Sequence, residues 1–484
     1  MKISKLMISL SALAITACGG SDGDSTAVSK TASGKVIDGY IVGAKVFLDI
    51  NNNGKHDAAT EPSAISTQGG NYELELGDTQ SRCLGYAPTI VDVPVGAIDE
   101  DLGPVTSAYR MVLPPEFKDQ INFENRFVTP VTSSLWGSVN TNTSRSNYTC
   151  QDLLADIDKR EKQAQALKHA VSETIITYNI SEDDLYNDFI ATGNLNVSLK
   201  AQSIVDGLKK SFSETNALLV SNPSTYAQVH YYFKEQDGTK NWYKRVYVSP
   251  LSEGGTSTQT LYKMSDDLVT EVEVLYQSTS INTVMSWGTY NQTFDIVSVD
   301  NTESVRPGCT FSENITIKES LFDYILTNKA YDKDIHELVN CQAVNLSNKI
   351  ESRSTTAYQY NKEITELLGR TYIEWNEHTY DKKYDFGLPD MINVSSQLDS
   401  LDTNRIMTNI SNRYSPYSSD DLDNAIKVIR SKIVKDGNNE VTYWKTLSST
   451  DATTYSRRTT YPNQTSSYES SVDGTNWTPA ATPK

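Results

Sequence analysis

Beginning at Tyr226, the hydrophobic period of this chain switches from helical spacing to alternation, which directs most of its second half into β-structure. Residues 229–233, 243–247 and 271–276 alternate apolar or aromatic side chains with polar ones. Asp237-Gly238, Asp436-Gly437 and Asp473-Gly474 each stand a few residues before a tryptophan: Trp242, Trp444 and Trp477. An Asp-Gly turn between aromatic strands is a hairpin signal. Residues 226–484 are therefore expected to form an antiparallel, meander-like β-rich domain. The 28 tyrosines and the dense Ser, Thr and Asn of this half suit such strands. Two stretches, 318–339 and 420–434 behind Ser418-Ser419, read as helices within it. The tryptophans are expected to pack in cross-strand pairs; a sugar-stacking platform is the alternative.

Upstream, the helical period is clear. Leu153, Ile157, Ala164, Leu167, Val171, Ile175 and Tyr178 recur at three-, four- or seven-residue steps, as on one amphipathic helix. Ser181 ahead of Glu182, Asp183 and Asp184 is a cap with acids in the first turn. Val197, Ala201, Ile204, Leu208 and Phe212 give another stripe. Residues 116–225 thus read as a small helical region, its stripes serving as core.

Residues 34–49 read as two short strands about a tight turn: Val36, Ile41, Val46 and Leu48, interrupted by Asp38-Gly39 and Gly43. Then oxygen-bearing side chains recur at alternate positions: Asp49, Asn51 and Asn53, with Gly54 sixth and Asp57 ninth. A hard cation takes six to eight oxygens at about 2.3–2.6 Å, and a loop of this pattern supplies them. The expected ligands of a structural calcium ion are Asp49, Asn51, Asn53, Lys55 through its carbonyl, Asp57 and Glu61. Glu61 stands one place beyond the usual final acid, where Thr60 lies.

A glycine turn, Gly69-Gly70, and an alternating strand, Tyr72 to Leu76, complete the series. The order of these pieces between residues 34 and 76 resembles the transthyretin-like β-sandwich family, in its carboxypeptidase-regulatory-like and SdrD B-like forms. That resemblance implies a prealbumin-like β-sandwich over residues 34–115, serving as a stalk or binding module on an exported protein. Phe127, Thr129, Pro130 and Thr132 are similar to a segment that succeeds such domains in lipoproteins. The fold class expected overall is mixed and β-rich.

The first residues carry an address. Lys2 and Lys5 precede an apolar run over residues 6–15, which at about ten residues is too short to span a bilayer but suits a signal peptide. Ile15-Thr16-Ala17-Cys18 resembles the lipobox of bacterial lipoproteins, which implies cleavage after residue 17 and acylation of Cys18. Several acyl chains give durable membrane anchoring. Residues 18–33 form a Gly/Ser/Thr/Asp tether. Gly19 replaces the aspartate that favours inner-membrane retention, so the outer membrane is expected, facing periplasm or exterior.

The charge of −18 argues against nucleic acid as a partner. Cys83, Cys150, Cys309 and Cys341 remain for disulfides in an oxidising space. Three pairings exist, of which sequence proximity favours Cys83–Cys150 with Cys309–Cys341. No two lie at metal-knuckle spacing. The five histidines, His56, His169, His230, His336 and His378, form no helical zinc pair. The one Gly-x-Ser-x-Gly, residues 19–23, lies in the tether, away from any strand–turn–helix context. Glu374, Trp375 and Asp381 are the candidates for a glycosidase site. The expected function is a non-enzymatic, lipid-anchored envelope protein with a glycan or protein partner. The alternatives are a component of a polysaccharide-degrading system and an envelope assembly factor.

Overall fold

The computed structural model describes residues 30–142, 148–236, 239–252, 254–298, 307–319, 322–343, 350–360, 372–380, 398–412, 420, 427–461 and 465–480. Cys18, the leader, most of the tether and Asp381 lie outside the described residues. Of the described residues, 44 % are in strands and 26 % in helices, the mixed β-rich fold expected.

The N-terminal strands are short: β1 (Lys30–Lys35), β2 (Ile41–Val42), β3 (Lys45–Leu48), β4 (Ser63–Ile65) and β5 (Asn71–Leu76). After helix α1 (Asp78–Cys83) come β6 (Thr89–Val93), β7 (Ile98–Asp99), β8 (Gly103–Pro104) and β9 (Tyr109–Leu113). They form antiparallel sheets in the orders β1-β5, β2-β7-β8 and β4-β3-β6-β9. Alternation decides which side each residue takes. In β5, Tyr72, Leu74 and Leu76 are buried while Asn71, Glu73 and Glu75 are exposed. Ala32, Val46, Leu48, Val91 and Met111 face the same core, giving a sandwich-like arrangement. Phe47, Ile90 and Val112 form a small cluster that Trp136 covers.

Five helices come next: α2 (Pro130–Asn142), α3 (Cys150–Ala155), α4 (Ile157–Tyr178), α5 (Glu182–Tyr186) and α6 (Leu195–Ser221). The single helix expected over 153–178 is broken at Asp156. Its backbone is extended (φ −133°, ψ 109°), and its carboxylate caps α4 by accepting from Lys159 N at 3.1 Å. A short polar residue that can satisfy the next turn's N–H competes with continuing the helix. Ser181 caps α5 as expected, in a reciprocal box with Asp184. One contiguous core joins these elements: Leu74, Leu135, Tyr178, Ile204, Phe233 and Trp242 all belong to it.

The remainder is a single antiparallel sheet of 14 strands in which each strand pairs with the next in sequence. Its first half is β10 (Thr225–Gln236), β11 (Thr239–Pro250), β12 (Gly255–Met264), β13 (Glu271–Met285), β14 (Gly288–Val297), β15 (Gly308–Lys318) and β16 (Phe322–Asp332). Helix α7 (Leu338–Ala343), β17 (Ile350–Tyr360), β18 (Tyr372–Tyr380) and α8 (Thr403–Asn412) come after it. The last strands are β19 (Lys427–Asp436), β20 (Asn439–Ser448), β21 (Thr454–Thr460), β22 (Ser466–Ser471) and β23 (Thr478–Pro479).

Two helical expectations are corrected by these strands. Within 318–339, β16 occupies residues 322–332 and only α7 begins at Leu338; within 420–434, residues 427–434 belong to β19. Both strands hydrogen-bond to a neighbour on each side, so ladder formation outweighs local propensity.

One face of the sheet is covered. α6 lies on β10, Cys341 of α7 packs with Ile296 and Phe311, and Ile406 of α8 packs with Tyr290, Ile315 and Leu326. On the opposite face of the central strands the described side chains are partly exposed, alternating along β15 with the buried ones.

Candidate functional site

The loop between β3 and β4 contains every residue expected to bind calcium. Asp49 and Glu61 are both buried, 1 % and 5 % exposed. Asp49 leaves the end of β3 and accepts from Asn53 N at 3.1 Å and Gly54 N at 2.8 Å. Asn51 and Asn53 close successive turns by accepting from the N–H two residues on, at 3.1 and 2.6 Å. Asn52 (φ 55°) and Gly54 (φ 73°) take the left-handed conformation that folds the loop over itself.

Glu61 returns to the start of the loop. One of its carboxylate oxygens accepts from Ile50 N at 2.9 Å, and the other from Asp57 N at 2.8 Å. Burial pushes the Asp49 carboxyl up to about 6, opposed by the Gly54 N–H and reinforced by the charge of Glu61. Two carboxylates, those of Asp49 and Glu61, are thus buried in one loop, their oxygens turned to backbone N–H groups. Among the described residues no three His, Cys, Asp or Glu side chains gather closely enough to form a metal centre by themselves. His56, at the loop's edge, stacks edge-on against Phe47 and meets Lys45 Nζ at 2.6 Å.

Both disulfides join the cysteines that proximity favours. Cys83–Cys150 ties α1 to α3, and Cys309–Cys341 ties β15 to α7. The tryptophans do not share a surface. Trp242 is buried against Phe233 at 5.0 Å. Trp477 packs edge-on against Tyr443, whose neighbour in β20, Trp444, points to the other face. Glu374 and Trp375 are consecutive residues of β18, in register with Tyr358 and Ala357 of β17.

Two features had no signal in single motifs. The first is the open face of β13–β16, which carries Ser280, Asn291, Thr293, Ser312, Asn314 and Thr327 in register. Short hydroxyl and amide groups bond across strands there: Asn291 Nδ2 donates to Ser280 Oγ at 2.9 Å, and Thr293 Oγ1 to the same atom at 3.1 Å. Only the strand register brings them together. The second is a cleft of about 1290 Å³ walled by α6, the β8–β9 connection and the start of the meander. Lys209, Lys210 and Lys240 line it beside Asp206, Asp266 and Asp267, so its charge is balanced. His230, behind the first strands, is held at about 3 by burial, with Arg245 adding, and stays neutral.

No protein-family profile, curated protein or solved structure matches the chain.

Proposed function

We propose that this chain is an exported lipoprotein, anchored through Cys18 to the outer membrane, whose folded body binds neutral polysaccharide at the cell envelope without catalysing a reaction. The observation that carries the binding reading is the open face of the meander. Strands about 4.8 Å apart hold a patch of short hydroxyl and amide groups, bounded by Asp295 and by Lys329 opposite Ser312, a chemistry complementary to the hydroxyls of a neutral glycan chain. The chain's net charge of −18 turns away polyanions. The two disulfides support an oxidising compartment, in keeping with the leader and its lipobox.

The N-terminal unit is read as a transthyretin-like module, supported by its sandwich-like sheets. A calcium ion would be held by Asp49, Asn51, Asn53, the Lys55 carbonyl, Asp57 and Glu61. It would supply positive charge to two buried carboxylates and so stiffen the loop.

The test is a glycan array probed with the soluble mature chain carrying Cys18→Ser. Neutral glycans should be retained, and Thr293→Glu with Ser312→Glu should abolish retention while leaving the unfolding transition in place. Retention of no glycan, or equal retention by the variant, refutes the binding reading. Mass spectrometry of the native protein tests the anchor separately, since an unacylated Cys18 removes it.

A further inference from the structure

Register carries the open face of the meander beyond its polar patch. Thr316 of β15, Thr356 of β17, Ser431 of β19 and Trp444 of β20 stand in one row, so this tryptophan belongs to the same face as Ser312 and Asn314. Its cross-strand neighbours are short: Ser431 on β19 and the exposed Ser456 on β21. Neither is long enough to cover an indole, and Trp444 is only half-buried.

Beside that indole lies Arg458, two residues beyond Ser456, its guanidinium carbon 5.9 Å from the ring centroid. Tyr468, also half-buried, stands directly opposite Arg458 on β22. The neighbouring arginine shows what is unusual here. Arg457 points to the other side of β21, lies over Trp477 at 4.6 Å, and is held by both oxygens of Glu469, at 2.7 and 3.1 Å. Arg458 has the tryptophan but not the carboxylate: among the described residues its guanidinium takes part in no ion pair or hydrogen bond. Its Nε is shut off from water. The outer fork, Nη1 and Nη2, is what this half-buried side chain shows to solvent.

We infer that Trp444, Arg458 and Tyr468 form a subsite for a single uronic-acid unit carried on an otherwise neutral glycan. This rests on the glycan reading of the open face and names the sugar class taken at its far end. A pyranose has an apolar face of C–H groups that matches an aromatic ring, and a uronate adds two coplanar oxygens that the outer fork of a guanidinium grips with parallel bonds. One unpaired arginine matches one carboxylate. The net charge of −18 opposes a chain that is acidic at every unit.

The experiment titrates the soluble mature chain carrying Cys18→Ser, by calorimetry, with cellotetraose, with the same tetrasaccharide oxidised to a uronate at its terminal unit, and with tetragalacturonate. The terminal uronate should bind at least about tenfold more tightly than cellotetraose, and tetragalacturonate no more tightly than the terminal uronate. Arg458→Gln should bring the terminal uronate down to the affinity of cellotetraose, and Arg458→Lys should keep only part of the difference, having the charge without the fork. Trp444→Ala should weaken the terminal uronate about tenfold. Should these variants fail to fold, Ser456→Glu at its exposed position sets a carboxylate beside Arg458 and should erase the preference with an unchanged unfolding transition. Equal binding of cellotetraose and the terminal uronate by the wild-type chain overturns the subsite and leaves the glycan reading standing; binding of none of the three refutes both. A preference that survives Arg458→Gln or Ser456→Glu, or tetragalacturonate as the tightest ligand, overturns the assignment to one guanidinium. Undiminished binding by Trp444→Ala overturns the role of the indole.

Discussion

At Gly34 a side chain would strike the protein's own backbone, since a Cβ there would lie 1.9 Å from the Arg126 carbonyl oxygen. The residue sits within β1, paired with Tyr72, so its role is close approach and not a turn. Gly34→Ala should cost about 2–3 kcal/mol through forced backbone displacement. Urea unfolding of the mature chain measures this, and a change well below 1 kcal/mol counts against the packing argument. Asp38 invites a test of a different kind. The Tyr109 hydroxyl donates to its Oδ2 at 2.7 Å. Burial nevertheless pushes the carboxyl from 3.8 up to about 6; the Tyr109 bond works against the rise and the charge of Asp99 adds to it. The folded chain therefore keeps this proton where the unfolded chain has lost it. Its contribution is complete below the unfolded value and disappears as pH rises through about 6. Asp38→Asn, which cannot ionise, should gain about 1–3 kcal/mol relative to wild type between about pH 4 and about pH 7. Thermal unfolding at the two ends decides it: a difference that ignores pH removes the buried proton from the account.

Elements were legible where one period acts alone. The alternation at 229–233 and 243–247 became β10 and β11, and the stripe from Val197 to Phe212 became α6. The reading failed where apolar residues stand side by side. In β16, Tyr324 and Leu326 face the core while Ile325, between them, faces the open side, so the run mimics helical spacing. Which side is buried depends on β15 and β17, and a local window does not contain them. The loop expected to bind calcium was visible as a list of oxygens, but the return of Glu61 to Ile50 and Asp57 was not, because it depends on where β4 pairs with β3. Loop and helix can each be tested. Calorimetry on the soluble mature chain should show saturable calcium uptake that Asp49→Ala abolishes; a flat wild-type titration refutes the ion. For α7, a helix of six residues has little stability of its own. Replacing Cys309 and Cys341 together by alanine should cost about 3–4 kcal/mol on the loop-entropy account. It should also speed amide exchange across α7 well before the core of β15 responds, which hydrogen-exchange mass spectrometry resolves.

For the whole molecule, the governing problem is that an open sheet of 14 strands has two edges, each able to template another chain. The edges are managed differently. At β10, α6 reaches over and satisfies the outward groups: Tyr231 N donates to Ser211 Oγ at 2.9 Å and Val229 N to Thr215 Oγ1 at 2.8 Å. At the far edge the sheet ends in β23, two residues long, whose Pro479 sits opposite Glu469 and has no N–H to offer a newcomer. The turn that delivers it is firmly built: Asp473 accepts from Thr475 N and Asn476 N, both at 2.8 Å, and these bonds hold its carboxyl well below the usual range. Removing residues 472–484 would strip this cover and leave the six residues of β22 as a bare edge. The shortened chain should then associate through β22, its elution from a sizing column shifting with concentration, while the full mature chain under the same conditions shows no such shift. Matching profiles for the two chains would mean that β22 is already too short and polar to pair, and that β23 protects nothing.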